Sequence, residues 1–211
     1  MKKLRAILMA SFLSLLIIGG LVLMETRGLR KYDRAYEKYG IEERSQLSKA
    51  EAGNLMDESL GYVLGGEISR LVENSYSYYE LIHLEDVRTT YRILKRLMAL
   101  SAFLMLILII PSRGKDLAAI GQGLVYNYSL LGGILVLGFI NFRQVFLAFH
   151  SLVFNNDYWL LDSSKDLLIQ LMPEALFMDL LVKVIVKYFL IAISIQIIIY
   201  LLDKKRKEGY N

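Results

Sequence analysis

Two histidines, His83 and His150, are the groups in this chain best suited to move protons near neutral pH. Cysteine is absent, which removes thiol nucleophiles and thiolate metal ligands. No Gly-x-Ser-x-Gly serine and no His-Glu-x-x-His zinc pair competes with the imidazoles; His83 is followed by Leu-Glu-Asp. Chemistry on this chain would therefore run on imidazole. His83 lies in Glu80-Leu-Ile-His-Leu-Glu-Asp-Val87. In a helix, Tyr79, His83, Asp86 and Thr90 share one face through i+3 and i+4 steps. Asp86 is thus placed to accept a hydrogen bond from one ring nitrogen and orient the imidazole, as the third member of a triad does. The same spacing also fits an ordinary surface ion pair on an amphipathic helix.

His150 lies in Phe149-His-Ser-Leu-Val-Phe-Asn-Asn-Asp157. A single histidine there would tune a membrane interface; two histidines can divide the roles of base and acid. His83 with Glu85 or Asp86, together with His150 and Asp157, could in principle ligate zinc, but the spacing matches no zinc signature and no metal is expected. Around His150 the chain is rich in rings: Phe142, Phe146, Phe149, Phe154, Tyr158 and Trp159. They fit an aromatic belt at headgroup depth, and equally the wall of a pocket for acyl or glyceryl groups.

The elements that must position these residues are set by hydropathy. The chain has 211 residues, 55% of them hydrophobic, and the apolar residues fall in long runs rather than in one dispersed core. Four runs, 6–24, 94–110, 117–140 and 182–202, each approach the roughly 20 residues a helix needs to cross the hydrocarbon. The first follows Lys2, Lys3 and Arg5 but is longer than a signal-peptide core and lacks an Ala-x-Ala-like site, so an uncleaved anchor is expected. Glycines at 121, 123, 132, 133 and 138 suit close helix contact in the third run. A tight loop is expected at Pro111-Ser-Arg-Gly-Lys-Asp116.

The basic N-terminus, the Arg113/Lys115 loop and the Lys204–Lys207 cluster predict cytoplasmic termini, with segments 25–91 and 141–179 outside the membrane. Arg92, Lys95 and Arg96 run against this rule, but they close a long outer region where the rule is weak, and their side chains can snorkel to phosphates. The formal net charge of +4 is modest and clustered beside apolar runs; it points to membrane lipids as partners rather than nucleic acid. Without cysteine, the outer segments must hold together without disulfides, and the chain is not itself a lipoprotein.

The outer segment 25–91 reads as a helical extracellular cap leading into the second span. Ser48-Lys-Ala-Glu51 is a capping-box pattern, Leu55, Met56, Leu60, Val63 and Leu64 follow at helical spacing, and Gly65-Gly66 is a stop. A second helix is expected to start near Ile68 and run toward the second span. The cap is short of apolar residues for an independent core and is expected to rest on the membrane and the outer ends of the spans. Segment 141–179 is acidic (Asp157, Asp162, Asp166, Glu174 and Asp179 against Arg143 and Lys165), and its first part is expected to extend the third span or form an interfacial helix. The fold class expected is an all-α membrane protein with four transmembrane helices and this cap.

This order of elements resembles the lipoprotein intramolecular transacylases, membrane enzymes of Gram-positive bacteria. The matching stretches are Glu80 to Val87, with its His-x-x-Asp-Val element, and Phe149 to Trp159, continued by Asp166-Leu-Leu-Ile and Pro173. The topological likeness covers nearly the whole chain and the motifs a small part of it. Leu84 stands where many members carry methionine, a swap that keeps size and apolarity. The resemblance implies transfer of the sn-2 acyl chain of a diacylglyceryl lipoprotein to the α-amino group of its N-terminal cysteine, leaving a lyso-form lipoprotein. It implies a site at the outer leaflet of the bacterial cytoplasmic membrane with His83 and His150 catalytic and no cofactor; Asp86, by its spacing, is expected to orient His83. Tyr79, Arg143, Phe149, Phe154, Asn155 and Trp159 are the substrate-binding candidates, with Asn155, Tyr79 and Arg143 as possible oxyanion donors. Two other readings remain: a phospholipid-directed acyl hydrolase or acyltransferase using the same site, and a non-enzymatic four-helix membrane partner or sensor. The oligomeric state is left open by the sequence.

Overall fold

A computed structural model describes residues 2–29, 32–112 and 117–208. Its regular elements among these are all helical: α1 (Lys2–Gly28), α2 (Asp33–Lys38), α3 (Ile41–Ser45), α4 (Lys49–Leu64), α5 (Arg70–Ser75), α6 (Tyr78–Ser112), α7 (Leu117–Val153), α8 (Leu167–Leu171) and α9 (Glu174–Glu208). Four of them, α1, α6, α7 and α9, are long and apolar enough to cross a membrane. In hydrocarbon every backbone polar group must be satisfied within the segment, which for an apolar run means a helix. The four apolar runs read from the sequence lie inside these helices, which continue beyond them: α6 has 35 residues and α7 has 37. The turns beyond the apolar runs carry His83 and His150. Of the loop expected at 111–116, Pro111 and Ser112 belong to α6, and Arg113, Gly114, Lys115 and Asp116 lie outside the described residues.

The chain divides into two units. The first comprises Met1–Val22, Lys95–Val136 and Val182–Asn211. Its helices meet through small residues: Ala6, Met9 and Ala10 of α1 pack with Ile120, Leu124 and Ile199. A Cβ on Gly123 would lie 2.6 Å from the Ala10 Cβ, so only glycine lets α7 approach α1 this closely. Gly133, also expected at a helix contact, has open space around it. Polar side chains bridge the same helices. Asn127 Nδ2 donates to Ser14 Oγ at 2.9 Å, Ser14 Oγ lies 2.6 Å from Tyr188 Oη, and Tyr128 Oη donates to Gln196 Oε1 at 3.1 Å.

The second unit comprises Leu23–Leu94 and Leu137–Leu181. Ser48 and Glu51 form the capping box that starts α4, and Gly65, at φ 122°, ends it. Leu55, Met56, Leu60 and Val63 are buried, as their helical spacing requires. The shortage of apolar residues in 25–91 is met from elsewhere in the chain: Leu168, Leu171 and Leu176 join Ile41, Met56, Val72 and Leu84 in one core. Tyrosines supply the remaining bulk. Tyr32, Tyr36 and Tyr76 are buried, and each hydroxyl finds an oxygen, on Leu171, Leu47 and Ser59 respectively. Burial pushes the Tyr32 and Tyr76 phenols above their ordinary pKa, so both stay neutral hydrogen-bonding groups.

The helix expected from Ile68 toward the second span is two helices. Ser69 caps α5, the chain turns extended at Tyr76, and α6 begins again at Tyr78. The restart has a local cause. Ser77 N–H donates to Glu80 Oε2 at 2.7 Å, and Glu80 N–H donates to Ser77 Oγ at 3.4 Å, a second capping box. The other Glu80 oxygen, Oε1, accepts the Leu168 N–H at 2.6 Å. Glu80 is only 2% exposed, so this carboxylate is one a buried core tolerates because it is fully hydrogen-bonded. Glu80→Ala should lower the unfolding free energy by about 3 kcal/mol, because two backbone donors lose a charged acceptor, and Glu80→Gln by less. Chemical unfolding of the full chain in detergent measures both; a loss below about 0.5 kcal/mol for the alanine variant would remove Glu80 from this role.

Candidate active site

His83 stands one turn after Glu80 on α6, so the carboxylate that fixes the start of this helix also fixes the height of the imidazole. His150 comes from the last turn of α7. That helix is interrupted at Asn141, whose φ of −155° and ψ of 85° leave the helical region. Asn141 Oδ1 accepts the Gln144 N–H at 3.1 Å and so caps a fresh helical stretch from Phe142 to Val153. The break falls where the apolar run was read to end, and the stretch beyond it is the anticipated aromatic extension.

Within the second unit the two rings converge. Their centroids are 6.0 Å apart, and each histidine is 8% exposed. Aromatic rings enclose them. Phe146 lies 4.0 Å and Trp159 5.1 Å from His150, Phe149 meets it edge-on at 5.4 Å, and Phe154 touches both imidazoles, at 5.2 Å from His83 and 5.6 Å from His150. Of the rings around His150, Phe154 and Trp159 are buried and Phe149 is half exposed. The side chains that could be a belt at headgroup depth therefore divide. Phe146, Phe149, Phe154 and Trp159 wall the histidines, and Phe142 packs on Phe146.

The His150 ring has a defined orientation. Its Nδ1 lies 2.7 Å from the Phe146 carbonyl oxygen, which can only accept, so Nδ1 carries a proton. In the neutral ring the lone pair is then on Nε2. A backbone carbonyl thus does for His150 what Asp86 was expected to do for His83. That expected bond is not made. Asp86 Oδ2 accepts from Asn156 Nδ2 at 2.9 Å, and the buried His83 Nδ1 has no hydrogen-bond partner. Ring packing turns His83 into the aromatic cluster rather than along its own helix face, while Asn156 holds the carboxylate. Asn156 Oδ1 also accepts the Tyr158 N–H at 3.1 Å, so one amide ties α6 to the turn that carries Trp159.

The other candidates lie farther from the imidazoles. Tyr79 is 59% exposed and stacks on Tyr158 at 5.4 Å. These two rings, with Asp157, Leu160, Leu161 and Asp166, line a cleft of about 250 Å³ that neither histidine lines. Arg143 is exposed and paired with Glu174 at 3.3 Å. Asn155 is exposed. The set considered for zinc does not assemble: among the described residues no three His, Asp or Glu side chains gather to hold a metal, and Glu85 is bound to Tyr62 and Arg92. Asn156, Glu80 and the Phe146 carbonyl are the groups sequence reasoning missed. The Ser77-x-x-Glu80 pattern was a readable signal for Glu80, and the four-residue spacing of Phe146 and His150 for the carbonyl; for Asn156 nothing short of tertiary placement gives the contact.

Comparison with known proteins gives the family and the fold. The family model of the lipoprotein intramolecular transacylase Lit matches residues 7–177. No curated protein matches the chain. Among solved structures, the membrane-integral lipoprotein intramolecular transacylase Lit from Bacillus cereus superposes with a TM-score of 0.78 at 21% identity, covering 100% of this chain and 99% of that one. Two variants of that protein, carrying a histidine-to-arginine and a histidine-to-alanine mutation, give TM-scores of 0.79 and 0.77 at 21% and 22% identity. The first covers 99% of this chain and 95% of its own, the second 98% and 96%. The chain is thus an all-α membrane protein with four membrane-spanning helices, and it belongs to the lipoprotein intramolecular transacylase family Lit.

Proposed function

We propose that this transacylase moves the sn-2 acyl chain of a diacylglyceryl lipoprotein to the α-amino group of the lipoprotein's N-terminal cysteine, an O-to-N transfer that leaves a lyso-form lipoprotein. The observation that carries the proposal is the pair of imidazoles 6.0 Å apart inside a ring of aromatic side chains. Aminolysis of an ester needs a base for the attacking amine and a proton for the departing alkoxide. A positioned imidazole contributes about 10²–10⁴-fold to such transfers. His150 is the base: its Nδ1–H is held by the Phe146 carbonyl, which leaves Nε2 to take the amine proton. The proton that His150 takes passes through His83 to the departing glyceryl oxygen, so both imidazoles end the turnover neutral, as they began. The amine nitrogen bonds to the carbonyl carbon, the bond from that carbon to the sn-2 oxygen breaks, and ester plus amine become amide plus alcohol.

Ester and amine sit on one molecule, so the site has only to fold that molecule. Ideal alignment of such groups is worth about 7–11 kcal/mol. Phe149, Phe154 and Trp159 provide walls that impose a compact conformation and keep water from diverting the ester to hydrolysis. Tyr79 belongs to the neighbouring cleft, where the lipoprotein's peptide would leave the site. Asp86 is a positioning residue: through Asn156 it holds the Trp159 turn against α6. The charge pattern of the short segments supports cytoplasmic termini and a site at the outer leaflet, where diacylated lipoproteins reside. Membrane lipids surround the protein as solvent.

His83→Ala and His150→Ala, each expressed in a strain without its own lyso-forming activity, should lower conversion of diacyl to lyso lipoprotein by about 10²-fold or more. Mass spectrometry of the lipoprotein N-terminal peptide reads the result, and near wild-type conversion by either variant overturns that residue's role. Acyl products formed in vesicles that contain phospholipid and no lipoprotein would instead make the enzyme phospholipid-directed. Asp86→Ala and Asn156→Ala should each reduce the rate, and the double variant should lose no more than the worse single one, because both remove the same tie. Full additivity would separate Asp86 from Asn156.

A further inference from the structure

We propose that the indole N–H of Trp159 is the oxyanion donor of this site, the group that holds the carbonyl oxygen of the migrating acyl chain as it becomes negative. The proposal rests on the acyl-transfer reading above and assigns a role that the reading leaves vacant. Among the described residues, three buried side-chain nitrogens lack a hydrogen-bond partner: His83 Nδ1, Arg88 Nε and Trp159 Nε1. Arg88 has four other N–H donors, and its guanidinium lies 4.3 Å over the Tyr62 ring and 3.9 Å from Glu85, so its orphan nitrogen belongs to a group already engaged. The other two lie in the ring cluster. A neutral imidazole can leave one nitrogen as a bare lone pair. An indole nitrogen has no such option: it only donates.

Buried donors without acceptors are rare in native proteins, and each calls for an explanation. Here the donor sits on a ring centred 5.1 Å from His150, in a residue only 9% exposed. Its missing acceptor arrives with the substrate. As the amine attacks, the electrons of the carbonyl π bond move to oxygen, and the indole N–H hydrogen-bonds to that oxygen while keeping its proton. When the intermediate collapses, the electrons return, the bond to the sn-2 oxygen breaks, and the alkoxide is protonated. Indole is not acidic enough to give up its proton on the way, so it can stabilise charge without becoming a competing acid. Burial strengthens the effect, since a donor in a water-free site is worth far more than one in solvent. The three donors the sequence suggests fail on this count. Tyr79 is 59% exposed, Arg143 is exposed and paired with Glu174, and Asn155 is exposed.

Trp159 is the chain's single tryptophan, so the N–H can be removed from the whole protein without touching another site. The full chain is produced in a tryptophan auxotroph with 3-benzothienylalanine, which keeps the bicyclic shape and replaces N–H by sulfur. Turnover of a synthetic diacylglyceryl lipopeptide should fall about 10²–10³-fold in kcat with KM nearly unchanged. A second preparation with fluorotryptophans keeps the donor and makes it more acidic; turnover should then rise with fluorine number. Isosteric enzyme within about threefold of wild type overturns the donor role, whereas His83→Ala and His150→Ala enzymes that remain active overturn the underlying transfer site instead. If the benzothienyl chain fails to fold, the fluorinated series decides alone, and a rate that does not change with fluorine number overturns the proposal.

Discussion

A single carboxylate joins two parts of the chain that are 88 residues apart. Glu80 takes the Ser77 N–H at the start of α6 and the Leu168 N–H at the start of α8. Hydrogen bonds to a charged acceptor are each worth about 1.5–3 kcal/mol net, and here neither donor has a substitute partner. The local bond starts the helix that carries His83 one turn later. The distant bond anchors the segment from which Leu168 and Leu171 enter the core of the second unit. The irregular stretch between His150 and that anchor, residues 154–166, then has both ends fixed, which confines Trp159 to the neighbourhood of the imidazoles. Asn156, held by Asp86, ties the middle of the same stretch to α6.

The ring cluster illustrates how an apolar surround can serve polar chemistry. Phenylalanine offers no hydrogen-bonding group, so a histidine packed against it is oriented by shape and by whatever backbone oxygen is within reach. For His150 that oxygen is the Phe146 carbonyl, one helical turn earlier, whose second lone pair is open to a side chain. The buried His83 Nδ1 has no hydrogen-bond partner, and its ring packs against Phe154 and His150. Two histidines in one cluster thus have different electronic situations although both are equally buried, and that difference is what a division between base and acid requires.

Much of the fold was legible because hydropathy, capping and helical spacing are local signals. The four spans, the Ser48–Glu51 capping box, the stop at Gly65 and the end of the third apolar run before Asn141 are each written within a few residues. The break between α5 and α6 was equally local, in Ser77 and Glu80, but the apolar periodicity on either side masked it. The part that could not be read is tertiary. The expectation that Asp86 would serve His83 followed from their i,i+3 spacing, and it failed because Asn156, 70 residues away, claims the carboxylate. The core of the second unit looked too poor in apolar residues because its leucines at 168, 171 and 176 are supplied from another segment, and its tyrosines count as apolar only when their hydroxyls are satisfied.

The arrangement also bears on why a membrane enzyme would keep its chemistry among aromatic side chains rather than in an open polar cleft. An acyl ester beside water hydrolyses; an acyl ester beside an amine of the same molecule needs only the right fold and the absence of a competitor. The cleft of about 250 Å³ at Tyr79 and Tyr158 has two aspartates in its lining, whereas the histidines sit apart from it behind rings. The structure therefore sets an open recess bearing two carboxylates beside a buried cluster of imidazole and aromatic rings. A diacylated lipoprotein has this same division, a polar chain joined to a greasy glyceryl head through one cysteine. On the proposed reading, that cysteine's amine sits at the boundary between the two environments, where a neutral imidazole can receive its proton and the leaving oxygen remains within reach of the other.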